Sequence, residues 1–299
     1  MPLGRGARVR SPPLWKSYMG ASANRYAVLS TLMAILALTV PLAAAAGDAP
    51  PADTLRLVTG SVGGTFLPVG HDLASWWSET VPEVVVVLDT TAGSVDNLQR
   101  LIRGEADLAV VGGTPFSQVL DGWGTHSDEA RTLCVMGSLY KDAEQYVVRS
   151  SLVRVGNLLD LSGLLMYPGP HHSGGEIDTR RFLSTLEVEP QYVYVDDRDK
   201  GYSAAAEALA RGDFDAATFS GGVPIQAVTD LFRDHPGEFQ ILPFSRHMLN
   251  KLVHFEGDYE GVVIRAGSYP DQEQDIRTVG GPNLLVAAPG VDTELILAL

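Results

Sequence analysis

A segment that occurs twice places the strongest constraint on how this 299-residue chain can fold. Residues 103–115 begin Arg-Gly-Glu-Ala-Asp-Leu-Ala and end Gly-Gly-Thr-Pro, and residues 211–224 begin Arg-Gly-Asp-Phe-Asp-Ala-Ala and end Gly-Gly-Val-Pro. Each copy predicts a helix, a glycine stop, an aspartate that enters a buried strand, and a turn. One copy in each half predicts two similar α/β lobes whose strand ends face each other across a cleft.

The stretch 55–70 predicts the first strand and helix of that arrangement. A β-prone run enters a turn that holds Gly60, Gly63 and Gly64, and Thr65 is placed to cap the helix that follows. Glycines let backbone N–H groups approach a ligand closely, and a helix N-terminus attracts negative charge. The turn therefore predicts a cradle for a small anion or a carboxylate, with a purely structural turn as the alternative.

Two further turns rich in Gly, Ser and Thr follow the next two predicted strands, at 91–94 and 112–115. Ser94 is interpreted as the cap of a helix that ends at Gly104. All three turns fall at the carboxyl ends of strands, where open α/β sheets bind ligands. None of them carries an acidic side chain, so the sequence favours an anionic ligand over a cation.

The overall composition excludes several kinds of partner. The formal net charge is −14, and residues 1–46 contain five basic residues and no acid, so the rest of the chain is more acidic still. Such a surface argues against nucleic acid and anionic lipid as partners. The single cysteine, Cys134, excludes an internal disulfide and lies in an apolar run, which predicts a buried structural thiol.

The first 46 residues are predicted to be a signal peptide. Basic residues precede an apolar run at 26–42, and Ala44-Ala45-Ala46 then offers a cleavage site. We therefore expect export to the periplasm with cleavage after Ala46, and an uncleaved membrane anchor is the alternative. Residues 47–53, rich in Pro and Ala, are interpreted as a linker.

The rest of the chain is divided on the alternation of strands and helices. We expect residues 54–140 to form the first part of lobe 1, 141–243 to form lobe 2, and 244–299 to return to lobe 1 and end in a short helix. The predicted strands 133–140 and 145–148 are joined by residues 141–144, interpreted as a polar link. A hinge of crossing strands is expected near 139–145 and 241–244.

Signatures of common enzymes and metal sites are absent from the sequence. It contains no G-x-S-x-G, no H-E-x-x-H and no paired cysteines, so we expect no enzymatic activity, no cofactor and no metal. His171-His172-Ser173 is a poor nucleophile–base arrangement because adjacent side chains in an extended turn point in opposite directions. His71 lies inside a predicted helix, so a metal site with His171 and His172 is disfavoured. Residues 196–200 are interpreted as a solvated turn, although Arg198 or Lys200 is an alternative partner for a bound carboxylate.

Three segments resemble a known family. Thr-Gly-Ser-Val-Gly-Gly-Thr-Phe-Leu-Pro at 59–68, Thr-Ala-Gly-Ser-Val-Asp-Asn-Leu at 91–98 and Gly-Glu-Ala-Asp-Leu-Ala at 104–109 resemble the TAXI-type solute-binding proteins of TRAP transporters. The resemblance implies a two-lobed periplasmic-binding-protein fold of type II, in which each lobe is a mixed, mostly parallel sheet flanked by helices. It also implies delivery of a small organic acid, such as glutamate or 2-oxoglutarate, to a membrane permease. The family usually has two tyrosines where this chain has Phe66 and Leu67, which affects the ligand and leaves the fold expectation unchanged.

The resulting expectation is an exported, monomeric, non-enzymatic solute-binding protein that closes about a hinge. Turns from both lobes are expected to hold the ligand, through Gly63, Gly64, Thr65, Phe66, Ser94, Val95, Thr114, Tyr140, Ser173, Gly174, Gly175, Ser220 and Gly221. Two alternatives remain open at this point. One is a ligand-sensing module for a membrane kinase, and the other is a periplasmic hydrolase that uses Ser173 or a histidine in the cleft.

Overall fold

Strands and helices alternate through most of the computed structural model, which describes residues 53–121, 127–195, 201–255 and 259–299. The predicted signal peptide, most of the predicted linker and residues 196–200 lie outside these ranges. The strands are β1 (Asp53–Val58), β2 (Val84–Asp89), β3 (Leu108–Gly112), β4 (Cys134–Lys141), β5 (Ala143–Arg149), β6 (Leu165–Tyr167), β7 (Gln191–Tyr192), β8 (Ala216–Gly221), β9 (Phe239–Ile241), β10 (Glu260–Ile264), β11 (Ile276–Gly280) and β12 (Pro282–Ala287).

The helices lie between the strands. They are α1 (Phe66–Thr80), α2 (Ser94–Ile102), α3 (Gly113–Leu120), α4 (Ser127–Ala130), α5 (Gly174–Thr185), α6 (Gly201–Arg211), α7 (Gln226–Asp234), α8 (Arg246–Phe255) and α9 (Thr293–Ala298), with short 3₁₀ turns at Ser150–Leu152 and Leu158–Leu161. Over the described residues, no helix combines the length and the apolar character needed to cross a membrane.

Two five-stranded mixed sheets form the two lobes. The first has the order β2-β1-β3-β12-β4 and the second the order β7-β6-β8-β5-β9. In each sheet two neighbouring pairs are parallel and two are antiparallel. The sheets are therefore mixed as expected, but the expectation that they are mostly parallel is wrong. We call each sheet with the helices on its faces a lobe. A separate hairpin of β10 and β11 lies beside β5.

The repeated segments occupy equivalent places in the two sheets. The first copy contains β3 and the second contains β8, and each is the central strand of its sheet, parallel to one neighbour and antiparallel to the other. Four consecutive residues of each strand are fully buried because helices cover both faces of the sheet. The repeat thus predicted two similar lobes correctly, and the two-lobed α/β fold is confirmed.

The chain crosses between the lobes at two places that touch. Asp142 is the only residue between β4 and β5, and Gly281 is the only residue between β11 and β12. The Asp142 N–H donates to the Gly281 carbonyl oxygen at 2.9 Å, so the two crossings are hydrogen-bonded to each other. A Cβ on Gly280 would lie 1.9 Å from the Asp142 carbonyl oxygen, so only glycine fits where the crossings meet.

The first crossing lies inside the predicted range 139–145, but the second is not at 241–244 as predicted. Instead β9 pairs with β5 in the second sheet, and Leu242 and Phe244 are buried in the core of the second lobe. The reason is β11, which sequence reasoning missed: it keeps the chain in the second lobe until Gly280. The position of the hinge about which the lobes would move remains a prediction.

Candidate functional site

Four helices begin at one cavity between the lobes. α1, α2 and α3 start there from the first lobe and α5 starts there from the second, each with its N-terminal residues in the cavity wall. Strands β1 and β3 end immediately before this wall, so the wall stands at the carboxyl ends of parallel strands as expected. We call the segments 64–66, 93–94, 112–114 and 173–175 the helix-end wall. The first turn of a helix carries backbone N–H groups without intrahelical acceptors and a positive potential, and both suit a small anion.

The cavity is small, at about 70 Å³. The lobes touch around it: a Cβ on Gly174 of the second lobe would lie 2.8 Å from Pro115 Cγ of the first. Gly63 makes a similar contact, since its Cβ would lie 2.5 Å from Ser203 Oγ on α6. The structure therefore shows a closed arrangement of the lobes, with room for a few water molecules or a compact solute.

Most of the residues expected at the ligand lie in the cavity wall. These nine are Gly64, Thr65, Phe66, Ser94, Thr114, Ser173, Gly174, Gly175 and Ser220. The other four, Gly63, Val95, Tyr140 and Gly221, are adjacent to the wall without lining it. Whether any of the thirteen contacts a ligand stays a prediction.

Thr65 connects the lobes and does not cap α1 as predicted. It occupies the N-cap position, but its side chain makes no capping bond. Its Oγ1 instead accepts hydrogen bonds from the Tyr140 hydroxyl and from the Gly222 N–H, both at 3.0 Å. Gly222 belongs to the second lobe, so this bond exists only while the lobes are closed. Burial raises the pKa of Tyr140 well above its usual value, so the phenol stays protonated as a donor.

Ser94 is also not the cap that the sequence suggests. Gly93 holds the N-cap position of α2, and Ser94 is its first residue. The Ser94 Oγ accepts the Gly112 N–H at 2.9 Å and so fastens α2 to the end of β3. Its own hydroxyl proton is then available to a solute. Ser173, by contrast, caps α5 by accepting the Glu176 N–H at 3.0 Å.

Three acidic residues line the same cavity, and sequence reasoning missed all of them. Asp142 and Glu144 lie at the first crossing, in the segment interpreted as a polar link, and Asp178 lies one turn into α5. We call these three residues the carboxyl cluster. Glu144 and Asp178 are 3 % and 5 % exposed. The sequence argument for an anionic ligand considered only the strand-end turns, and these three carboxyl groups lie outside those turns.

Burial strongly disfavours the charged forms of this cluster. It raises the pKa of Asp142 to about 7, partly opposed by a hydrogen bond that Asn283 Nδ2 donates to Asp142 Oδ1 at 2.5 Å. The pKa of Glu144 is raised well above its usual value by burial and then by the charge of Asp178. Within the described residues no group of three metal-binding side chains is close enough to hold a metal ion.

Among the described residues, only one of the two carboxyl oxygens of Glu144 has a hydrogen-bond partner. Its Oε1 accepts the Ser220 hydroxyl at 2.5 Å, while Oε2 is buried without a hydrogen-bond partner. Ser220 is itself positioned by Tyr202, whose hydroxyl accepts the Ser220 N–H at 3.0 Å. Tyr259 completes this side of the cavity, and burial together with the neighbouring Asp178 raises the pKa of its phenol.

No basic side chain lines the cavity in the part of the chain that the structure describes. The two basic residues proposed as carboxylate partners, Arg198 and Lys200, lie outside the described residues. The histidines are also elsewhere: His71 is exposed on α1, and His171 and His172 are exposed next to Glu176 on the surface.

This geometry gives no support to the alternative of a hydrolase that uses Ser173 or a histidine as its reactive group. The Ser173 Oγ is used as a helix cap, and His171 Nδ1 lies 3.2 Å from Glu176 Oε2. Cys134, expected to be buried, is exposed, because it begins β4, an edge strand of the first sheet.

Two lobes joined by paired crossings, with a cavity between the strand ends, are the arrangement of the two-lobed periplasmic-binding-protein fold. The chain belongs to the NMT1-like family, whose model matches residues 57–299. This match does not assign the chain to the TAXI-type proteins in particular.

Several solved structures share the fold at low sequence identity. An ancestral arginine-binding protein bound to arginine is 14% identical with a TM-score of 0.50, over 83% of this chain and 89% of that chain. The GluR0 ligand-binding core in complex with L-glutamate is 10% identical with a TM-score of 0.50, over 83% and 90%. The regulatory domain of CcmR from Synechocystis PCC6803 in complex with 2-PG is 13% identical with a TM-score of 0.50, over 82% and 92%. These likenesses concern the fold alone.

Proposed function

We propose that this chain is an exported solute-binding protein that captures a small solute in the cavity and delivers it to a TRAP-type membrane permease. The observation that carries the proposal is the helix-end wall, to which both lobes contribute. Membership of the NMT1-like family and the two-lobed fold support it. The three similar structures, each a complex with a small solute, also support it.

Capture works by closure of the lobes. A solute that touches both α2 of the first lobe and α5 of the second has its full set of contacts only in the closed form, so binding shifts the population toward closure. The bond from the Gly222 N–H to Thr65 Oγ1 is made in the same form and adds to its stability. The paired crossings at Asp142 and Gly281 are the place where the chain would bend.

The solute we propose is a small organic acid, of the size of glutamate or 2-oxoglutarate, with its carboxylate at the helix-end wall. Each helix N-terminus favours a nearby negative charge by about 0.3–1 kcal/mol when exposed and up to about 2 kcal/mol when partly buried. Thr65 and Ser94 are the proposed hydroxyl donors. The proposal also includes a monomeric protein and cleavage of the signal peptide after Ala46, which N-terminal sequencing of the exported protein would test.

A thermal-shift screen of organic acids and amino acids tests binding without turnover. A true solute at one hundred times its dissociation constant should stabilise the protein by about 2.7 kcal/mol. Mass spectrometry of the same mixture should show the solute chemically unchanged. If no member of the screen raises the unfolding temperature, or if the solute is converted, the proposal is wrong.

Two glycine variants provide a matched control for closure. Gly174→Ala places a Cβ against Pro115 of the other lobe, whereas a Cβ on Gly137 of β4 meets nothing within 4 Å. We expect Gly174→Ala to reduce the ligand-induced shift and Gly137→Ala to leave it unchanged. Equal shifts in both variants would contradict closure at this contact.

A further inference from the structure

Glu144 is a buried carboxyl group with one oxygen that has no hydrogen-bond partner among the described residues. The residue is 3 % exposed, lines the cavity, and has no hydrogen-bond partner on Oε2. An unsatisfied buried polar atom is costly, and in a native protein it calls for an explanation such as strain, a functional role, or a bound water or ion. The other oxygen accepts the Ser220 hydroxyl, so Ser220 holds the carboxyl group in place as an acceptor.

Two further carboxyl groups lie near Glu144, and no basic side chain of the described residues lines the cavity with them. Asp142 lies two residues away at the crossing, and Asp178 reaches the same cavity from α5. Among the described residues, the other ionisable groups near Glu144 are the phenols of Tyr146, Tyr202 and Tyr259. No Lys, Arg or His of the described chain lines the cavity. A cation delivered by the solute is the missing partner.

We infer that the solute carries an ammonium group as well as a carboxylate, and that its N–H groups donate to Glu144 Oε2 while its carboxylate lies at the helix-end wall. This inference rests on the proposed function and narrows it from organic acids in general to amino acids and similar zwitterions. Charge-assisted hydrogen bonds from an ammonium group are among the strongest available to a buried carboxylate. A dicarboxylate without an amine would instead bring two more negative charges to a cavity that already holds three carboxyl groups.

The competing arrangement is a protonated Glu144 that donates to a carboxylate of the solute. The two arrangements differ in the sign of their pH dependence. An ammonium group favours the ionised form of Glu144, so affinity should rise as the pH increases through the raised pKa of this carboxyl group. A protonated donor is lost over the same range, so affinity should then fall.

Calorimetry with pairs of solutes that differ only at the amine tests the inference. Suitable pairs are L-glutamate with 2-oxoglutarate, L-alanine with pyruvate, and L-leucine with 4-methyl-2-oxopentanoate. We expect at least one amino acid to bind at least tenfold more tightly than its oxo acid, with affinity that rises with pH. If an oxo acid binds as tightly as its amino acid or more tightly, the inference is wrong and the proposed function stands.

The variant Glu144→Gln isolates the carboxylate. It keeps an oxygen for the Ser220 hydroxyl and removes a buried charge, so the fold should be retained. We expect affinity for the amino acid to fall at least tenfold and its pH dependence to weaken to the part that Asp142 contributes, while Glu83→Gln, an exposed control on the surface, changes neither. Unchanged affinity in Glu144→Gln overturns the inference. If neither amino acids nor oxo acids bind to the wild-type protein, both the inference and the proposed function fail.

Discussion

The helix-end wall and the carboxyl cluster share one cavity but have opposite electrostatic character. The wall, for example at Ser94 and Gly174, presents backbone N–H groups and hydroxyls at helix N-termini, which favour negative charge. The cluster presents the carboxyl groups of partly buried Asp142 and buried Glu144, and loss of hydration raises both pKa values. The cavity is therefore bipolar and suited to a solute with two different ends, and substitutions at each end should have separate effects.

The largest expected effect concerns stability at the carboxyl cluster. The pKa of Asp142 is raised from 3.8 to about 7 by burial, so the folded protein holds a proton there that the unfolded chain has already released. Stability from this group is therefore fully present below about pH 4 and is lost as the pH rises through about 7. Since one unit of pKa difference corresponds to about 1.4 kcal/mol, Asp142→Asn should be more stable than the wild type by about 4 kcal/mol at pH 8 and nearly equal to it in stability at pH 4.

Urea unfolding of the ligand-free protein across pH 4–8 measures this difference. Asn at 142 keeps an oxygen for Asn283, so the hydrogen bond survives the substitution. Asp72→Asn, an exposed site on α1, is the control and should follow the wild-type curve. Parallel curves for wild type and Asp142→Asn would show that Asp142 titrates normally, and the carboxyl cluster would then lose its contrast with the wall.

The wall was largely predictable from sequence because its signals are short-range. Gly64, Ser94 and Gly174 belong to turns whose glycines and hydroxyl residues follow β-prone runs directly, and the repeated segments gave the two lobes. The caps were assigned wrongly, since Thr65 and Ser94 use their side chains for contacts to other elements. Such contacts depend on tertiary packing, which local capping patterns do not encode.

The carboxyl cluster was not predictable by the same reasoning. The segment 141–144 is polar and short, which is typical of an exposed link, and its burial depends on contact with Gly281, far away in the chain. The second crossing was misplaced for the same reason. β11 and β12 are separated by one residue, so local patterns gave no sign that the chain changes lobes there.

A substitution in the wall should have the next largest effect, on binding. A Cβ on Gly64 would lie 3.2 Å from the Ser61 carbonyl oxygen and 3.4 Å from the ring of Tyr202 in the second lobe. Valine adds two further methyl groups, and such overpacking costs about 1–3 kcal/mol. We expect Gly64→Val to weaken solute binding by about 10- to 100-fold in calorimetry.

The fold should survive this substitution, because opening of the lobes relieves the contact with Tyr202. Gly137→Val serves as the control, since the space around Gly137 is open, and it should bind normally. If Gly64→Val binds with wild-type affinity, the first turn does not belong to the site, and the wall reduces to the ends of α2, α3 and α5.

The smallest expected effect concerns Ser94, and it distinguishes a structural role of this side chain from direct contact with the solute. Its Oγ accepts the Gly112 N–H at 2.9 Å, so Ser94→Ala removes a buried hydrogen bond and should cost about 1 kcal/mol of stability. If its hydroxyl proton also reaches the carboxylate of the solute, affinity should fall as well, by about tenfold, since a hydrogen bond to a charged group contributes about 1.5–3 kcal/mol. We expect both losses.

Thr80→Ala is the control, because the Thr80 hydroxyl donates to a backbone oxygen at an exposed site of α1. This substitution should change stability by less than about 0.5 kcal/mol. A loss of stability without a loss of affinity would leave Ser94 as a support for the end of β3 and assign the anionic end of the solute to the backbone N–H groups of the wall.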